Sequence, residues 1–395
     1  ACAHHAGWRG SAVKRMSPGR AGLNGGFSLL ELMVALALGL LIMTAMLGMY
    51  VDMSRINREM AGTNSQIENA RFALQFLHGD IVHGGYWGGF VPAFDDLSFA
   101  DVATDAPVSL PDPCLAYSTP WSGAYIDSLM GIAVQSFDAS PDGCTSVVAN
   151  MQPDTDVLVV RHAGTCVPGT VGCEPDMAGK LYFQTSFCEL ENATRYLLGT
   201  SGFGLHGRTC VAGTPAGGPL APKRRFVSNI YYIRNFSLNP GDGIPTLVRS
   251  EFDLSGTTLA HQPAVALIEG IQGFRVELGI DSLGDSGAAT DYTAAIAWAD
   301  PELRDSPTNR GDGIPDGAFV RCTTASPCTV AQLRDVVAVR IFLLARANEV
   351  TPGYTDTRSY TLGSTTLGPF NDGFKRHVFS RSVRLVNVAG RRETP

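Results

Sequence analysis

One carboxylate, that of Glu31, stands at the head of an apolar segment long enough to cross a membrane. The residues from Leu32 to Val51 carry no charged side chain, and about 20 residues at 1.5 Å each span a bilayer core of roughly 30 Å. A charge inside a bilayer costs roughly 2.5–3.5 kcal/mol on insertion scales. The chemistry that Glu31 predicts is therefore pairing with a positive group that offsets this cost.

The cysteines indicate oxidative chemistry. Eight of the nine follow the apolar segment and lie in Gly- and Pro-rich stretches, whereas Cys2 lies near the N-terminus. An even number of scattered thiols favours disulfides, formed in an oxidising space such as a periplasm, over buried free thiols. Zinc is disfavoured because there is no C-x2-C pair and the histidines do not cluster near the thiols. Cys322 and Cys328 are the preferred close pair, since the residues between them are typical of a turn. The disulfide candidates are Cys114, Cys144, Cys166, Cys173, Cys188, Cys210, Cys322 and Cys328.

A Gly-rich stretch at 305–316, DSPTNRGDGIPD, offers the oxygen ligands that calcium prefers. Its spacing does not fit an EF-hand, and Arg310 stands among the possible ligands. A solvated turn is therefore the favoured interpretation, with calcium as the alternative and no other cofactor predicted. The candidate calcium ligands are Asp305, Asn309, Asp312 and Asp316.

Two other motifs could suggest enzymatic chemistry. GFGLHG at 202–207 matches G-x-G-x-x-G, but the sequence that follows cannot form the helix that would hold a pyrophosphate. LGDSG at 283–287 is similar to a serine nucleophile loop, but no His/Asp pattern accompanies it. Because the sequence offers no convergent acid, base or nucleophile set, we expect no enzymatic activity.

A long helix must carry Glu31 and the apolar segment. Beyond Val51 the sequence turns polar, yet apolar side chains recur at steps of three and four, as one face of a helix requires. The pattern predicts a helix over 28–78. Residues 27–51 are assigned to the membrane-spanning half of the stem, and residues 52–90 to an amphipathic half covered on one face. The predicted covered stripe is Ile56, Met60, Thr63, Ile67, Ala70, Leu74, Leu77 and Ile81.

The remainder of the sequence predicts a β-rich head. Strand signals occur on both sides of a Pro-Asp turn within 147–163, and residues 229–253 predict a hairpin around Asn-Pro-Gly-Asp-Gly. Residues 336–345 form a nearly continuous apolar run, which predicts a central strand covered on both sides, one of them by the long helix. The fold class is therefore α+β, an antiparallel sheet packed on one long helix. Residues 91–225 are predicted to be a Cys-rich elaborated region and residues 226–395 the β-sheet core.

The charge distribution separates the N-terminus from the body. Arg9, Lys14, Arg15 and Arg20 precede residue 27 without any acid, which leaves 26 basic and 37 acidic residues, or −11, for the rest. Such a body repels phosphate, so nucleic acid is not an expected partner. Positive charge before the apolar segment predicts that this end is cytoplasmic and the head is outside. We expect translation to begin at Met16, with residues 1–26 a leader and upstream segment.

The stretch GFSLLELMVALALGLLIM, at 26–43, resembles the N-terminal signature of type IV prepilins. The resemblance implies that a prepilin peptidase cuts after Gly26, that Phe27 becomes the methylated N-terminus, and that Glu31 pairs with the N-terminal amine of a neighbouring subunit. It also implies the pilin form of the α+β fold. The alternative is a plain membrane anchor whose Glu31 lies among lipid headgroups.

Further segments resemble the PilW family of minor pilins. FALQFLHGDIVHGGYWGGF at 72–90 is similar to the part of that family that follows the long helix, and segments at 230–235, 243–249, 268–281, 336–346 and 376–387 are similar to its later strands. The resemblance implies a disulfide-bonded single-pass protein of the inner membrane, with a periplasmic head that later becomes extracellular in a pilus. It implies a role in priming pilus assembly, placement at the tip, and involvement in twitching motility and adhesion. The implied partners are other minor pilins, the major pilin, the peptidase, the inner-membrane assembly platform and a tip adhesin. A type II secretion pseudopilin, or a membrane-anchored periplasmic adhesin or enzyme, remains the alternative.

Overall fold

The computed structural model describes residues 26–191, 195–210 and 218–393 of the chain. They form two compact units that divide after Arg58. The first unit contains the beginning of a long helix, and the second contains the rest of that helix together with all the strands.

Helix α1 spans Leu29–Ile81, which confirms the long predicted helix. After the last helical hydrogen bond, from Val82 N–H to the carbonyl of His78, the chain turns through His83 and Gly84, and Gly85 at φ +75° donates its N–H to the carbonyl of Arg161 at 3.0 Å. The prediction that the amphipathic half of the helix continues over 52–90 is therefore wrong for the residues after Ile81.

The covered stripe of α1 is shorter than predicted. Ala70, Leu74, Leu77 and Ile81 are buried, but Ile56 and Met60 are 57% and 59% exposed and Thr63 is exposed as well. The first buried side chain is Gln66, whose amide Nε2 donates to the carbonyls of Ala345 at 2.5 Å and Lys375 at 3.1 Å. These carbonyls lie where one strand ends and the next begins, so no strand continues beside Met60 and Thr63.

In its described residues the head contains fifteen strands and three further helices. The helices are α2 (Gly123–Gly131), α3 (Val330–Arg334) and α4 (Val386–Arg392), and a 3-10 turn spans Ala93–Asp95. The strands are β1 (Val134–Phe137), β2 (Val157–Ala163), β3 (Tyr182–Thr185), β4 (Tyr196–Gly199), β5 (Lys223–Arg234), β6 (Thr246–Ser255), β7 (Thr258–His261), β8 (Val265–Glu269), β9 (Ile271–Ile280), β10 (Trp298–Asp300), β11 (Asp305–Pro307), β12 (Val336–Arg346), β13 (Tyr360–Leu362), β14 (Thr365–Leu367) and β15 (Arg376–Arg384).

Strands β1 to β8 form one sheet around β5, which pairs with β2, β3 and β6. The pairing of β5 with β6 confirms the predicted hairpin within 229–253. The predicted border between a Cys-rich region at 91–225 and a core at 226–395 is wrong, because β5 crosses it and strands from both sides pair with β5. The first of the two strands predicted within 147–163 is absent. The carbonyls of Val147 and Ala149 accept hydrogen bonds from the hydroxyl of Tyr232 and not from the backbone of a neighbouring strand.

A second sheet has the order β15-β12-β9, which confirms a central position for β12. Side chains from one face of β12 and β9 join those of α1, β2 and β5 in the main core, so α1 covers the central strand as predicted. Arg275 and Glu277 lie on the opposite face of β9, and both are buried, because Asp156 pairs with Arg275 and the loop at Ser364 covers Glu277.

Candidate assembly surfaces

The first turn of α1 is closed by Ser28 and Glu31. The backbone N–H and the hydroxyl of Ser28 donate to Oε2 of Glu31 at 2.9 and 3.1 Å, and the N–H of Glu31 donates to Oγ of Ser28 at 3.2 Å. These reciprocal bonds form a capping box, which satisfies N–H groups that a helix start leaves free. The carboxylate of Glu31 is thereby fixed at the beginning of the helix, and it is exposed.

The first half of α1 presents an uninterrupted apolar surface. Every residue from Phe27 to Val51 is exposed, and Phe27 itself is 88% exposed. The helix is long and apolar enough to cross a membrane by length and composition. An apolar surface of this extent indicates contact with lipid or with other apolar chains, and Glu31 is its only charged side chain.

The predicted processing site immediately precedes this helix. Gly26 and Phe27 are exposed and lie outside regular secondary structure, so the peptide bond between them is open to a protease. The expected start at Met16 and the rest of the leader lie outside the described residues. Cleavage at Gly26 stays a prediction.

The other end of α1 is fastened to the head by Asp80. Its carboxylate accepts Nε2 of His162 at 3.0 Å, Nδ2 of Asn229 at 3.0 and 3.1 Å, and the hydroxyl of Tyr231 at 3.0 Å. Burial disfavours the charged form, but the charge and hydrogen bond of His162, with the bonds of Asn229 and Tyr231, hold the pKa of Asp80 below its ordinary value. We call these four side chains the Asp80 latch.

His162 has acceptors on both sides. Its Nδ1 faces the carbonyl of Ala163 at 2.8 Å, while its Nε2 faces the carboxylate of Asp80. An N–H at Nε2 donates to the Asp80 carboxylate, so His162 links β2 to the end of α1.

An aromatic cluster holds the segment that follows the latch. Trp87 is buried against Phe183 and Phe226, and its Nε1 donates to the carbonyl of Met130 at 3.1 Å. Tyr86 is half-buried beneath the guanidinium of Arg224. The resemblance to the PilW family pointed to the region 72–90 but did not predict that Asp80 fastens α1 to the head, because the residues that bind Asp80 are far away in sequence.

All eight candidate cysteines are paired. The pairs are Cys114–Cys144, Cys166–Cys173, Cys188–Cys210 and Cys322–Cys328. The last is the close pair that the sequence favours. The other three link loops of the region between the long helix and β5, which the sequence alone could not pair.

The calcium candidates do not converge on a metal. Asn309 and Asp312 accept the backbone N–H groups of Ala297 and Ile314 at 2.9 and 2.8 Å, and Asp316 accepts two N–H groups, of Ser282 and Leu283, at 2.7 Å. Asp305 begins the short strand β11. Within residues 26–191, 195–210 and 218–393, no group of three or more His, Cys, Asp or Glu side chains could hold a metal ion. The calcium hypothesis is therefore not supported, and these oxygens act as turn acceptors.

The chain begins its helix α1 with a membrane-length apolar half that carries one carboxylate in its first turn. An antiparallel head packs on the later part of the same helix. These two features define the type IV pilin class. Residues 23–47 match the family model described as the prokaryotic N-terminal methylation motif, in agreement. Residues 230–387 match the model described as type IV pilus-assembly protein W. These two matches support a type IV pilus minor pilin of the PilW family.

Among solved structures, a type IV-like pilin from Thermus thermophilus is similar at 15% identity, over 60% of this chain and 81% of that chain, with a TM-score of 0.24. No curated protein matches the chain.

Proposed function

We propose that this chain is a minor pilin that takes part in priming type IV pilus assembly and sits at the pilus tip. The observation that supports this most is the exposed apolar half of α1, whose only charge is Glu31 in the first turn. Contact with lipid alone would favour an apolar residue at that position, because a charge there is costly.

Glu31 acts in this proposal by pairing with the N-terminal amine of an adjacent subunit. Removal of one member from a buried ion pair leaves the other uncompensated, at a cost of about 3–5 kcal/mol. A helix that slides by one turn along its neighbour loses the pair. The carboxylate therefore sets the register between helices that are otherwise uniformly apolar.

The proposed life of the chain has three stages. The prepilin peptidase cuts between Gly26 and Phe27 while the apolar helix spans the inner membrane once and the head folds in the periplasm. The four disulfides, which suit an oxidising compartment, support that location. The chain then joins other minor pilins and the major pilin on the inner-membrane assembly platform, and it reaches the cell surface in the pilus, where a tip adhesin can accompany it.

The work of such a subunit is packing and register, without catalysis. The buried polar side chains support this proposal, because the Asp80 latch and the pairing of Asp156 with Arg275 tie elements of the head together. We therefore propose no enzymatic activity and no cofactor for the head.

Replacement of Glu31 by Ala tests the assembly role. The Glu31→Ala chain is expected to be cleaved at Gly26 normally but to abolish or sharply reduce surface pili and twitching. Glu68→Ala is the matched control, since Glu68 is exposed on the same helix and lies in the head unit. Normal pili with Glu31→Ala would refute the assembly role.

A further inference from the structure

Strand β15 forms an exposed edge of the second sheet. Among the described residues it pairs with β12 alone. Arg381 lies opposite Ile341 and His377 opposite Ala345, and both of these β12 side chains belong to the core beneath α1. Arg381 and His377 therefore stand on the face of the sheet that α1 covers, but beyond its covered part, and both are exposed.

Helix α1 contributes two basic residues beside this edge. Arg71 and His78 are seven residues apart and so share one helical face, with the exposed Gln75 between them. Partial burial, and then the charge of Arg381, lower the pKa of His78, which indicates that Arg381 is close to it. We call Arg71, His78, His377 and Arg381 the cationic strip, whose positive charge is that of Arg71 and Arg381.

Within the described residues, no side chain compensates the charge of Arg71 or Arg381, since neither forms an ion pair or hydrogen bond with a residue that the structure describes. Nδ1 of His78 is buried without a hydrogen-bond partner there. Glu59 pairs with Lys375 at 3.1 Å, and Glu68 is exposed without a described ion pair to Arg71.

We propose that the cationic strip docks the carboxylate-bearing face of a neighbouring pilin head. This inference rests on the proposed function, which brings other pilins alongside α1. Charge complementarity favours such a partner, because opposite potentials across an interface select the partner and fix its orientation. A head of this class can carry exposed carboxylates, as those of Asp285, Asp291 and Glu302 are in this chain.

A photo-crosslinking amino acid at Gln75, in the full-length chain expressed with its assembly system, tests the docking. Ser65 is the matched control position, because it is exposed and lies about 120° around the helix from Arg71. We expect Gln75 to capture a pilin at a segment rich in Asp and Glu, mapped by mass spectrometry. The double variant Arg71→Glu, Arg381→Glu should lower that yield about ten-fold, whereas Arg71→Lys, Arg381→Lys should retain it.

Three results would overturn the docking: no pilin captured at Gln75, a phospholipid adduct in its place, or a yield that charge reversal leaves unchanged in protein with a native near-UV spectrum. A second label at Leu36, in the apolar half of α1, separates this inference from the proposed function. If Leu36 captures a pilin and Gln75 does not, only the cationic strip proposal fails. If neither label captures a pilin, the minor-pilin proposal fails as well.

Discussion

Replacement of Asp80 by Asn should unfasten the end of α1 from the head. The carboxylate accepts hydrogen bonds from His162, Asn229 and Tyr231, all at 3.0–3.1 Å. An amide keeps the shape but brings an NH2 group toward a set of donors. Asp80→Asn therefore removes the carboxylate charge and leaves buried donors facing each other.

The size of the loss follows from the kind of contact. A hydrogen bond to a charged group contributes about 1.5–3 kcal/mol, but bonds that share one carboxylate are not additive. A buried donor left unsatisfied costs about 1–3 kcal/mol, so with three donors on one carboxylate a loss of about 3–5 kcal/mol is the better measure of the whole latch. We expect Asp80→Asn to lower the free energy of unfolding of the head by that amount.

Urea unfolding of the detergent-solubilised chain, followed by near-UV circular dichroism, measures this loss. The aromatic cluster around Trp87 supplies the signal from the head. Glu68→Gln is the control, and as an exposed substitution it should change the free energy by no more than about 0.5 kcal/mol. A loss below about 1 kcal/mol for Asp80→Asn, the ordinary effect of a point mutation, would refute the role of the latch.

The pH dependence gives an independent check. The pKa of Asp80 is lowered in the folded chain, so its contribution is present above the unfolded pKa of about 3.9 and is lost as the pH falls through the folded value. The stability difference between the native chain and Asp80→Asn should therefore be constant near neutral pH and narrow below about pH 4. A difference that does not narrow in acid would mean that the carboxylate charge contributes nothing.

Two further predictions concern turns and disulfides of the head. Gly-Asp-Gly-Ile-Pro occurs twice, with Gly243 at φ +69° in open space and Gly313 at φ +80°, where an added Cβ would lie 2.5 Å from the carbonyl oxygen of Ala389. Gly243→Ala should cost about 1–2 kcal/mol for the left-handed backbone, and Gly313→Ala about 3 kcal/mol or more because the clash is added; equal urea midpoints would contradict this. Removal of the Cys114–Cys144 bridge, which spans 30 residues, should cost about 3.6 kcal/mol, against about 2.2 kcal/mol for Cys322–Cys328, which spans 6. The reverse order in urea unfolding of the two Cys→Ser double variants would argue against loop entropy as the cause.

Local patterns in the sequence were sufficient for several elements. The spacing of apolar residues predicts α1, the hairpin of β5 and β6 follows from two β-rich runs around a Gly-containing turn, and the apolar run of β12 indicates its central position. Each of these signals lies within a single stretch of chain. The pairing of Cys322 with Cys328 belongs to the same kind, because the turn between them is local.

Features that depend on distant residues could not be predicted in this way. Arg275 and Glu277 alternate with apolar side chains in β9, a pattern that is typical of residues on an exposed face. Both are nevertheless buried, and Arg275 pairs with Asp156, which lies 119 residues earlier in the chain. The partners of Asp80 lie 82, 149 and 151 residues away. The exposure of Met60 on the apolar face of α1 depends on where β12 and β15 end relative to the helix. The spacing of apolar residues along α1 carries no information about where those strands end.

The N-terminal sequence of the native chain tests the central claim most directly. Mass spectrometry of protein purified from its own membranes, digested without prior enrichment, identifies the first residue and any modification. A minor pilin should begin at Phe27 and carry one added methyl group on its amine, which can then meet the first-turn carboxylate of a neighbouring subunit. A native chain that keeps residues before Phe27 joined to it would contradict the account, because Phe27 would then offer no amine for a neighbouring subunit to pair with.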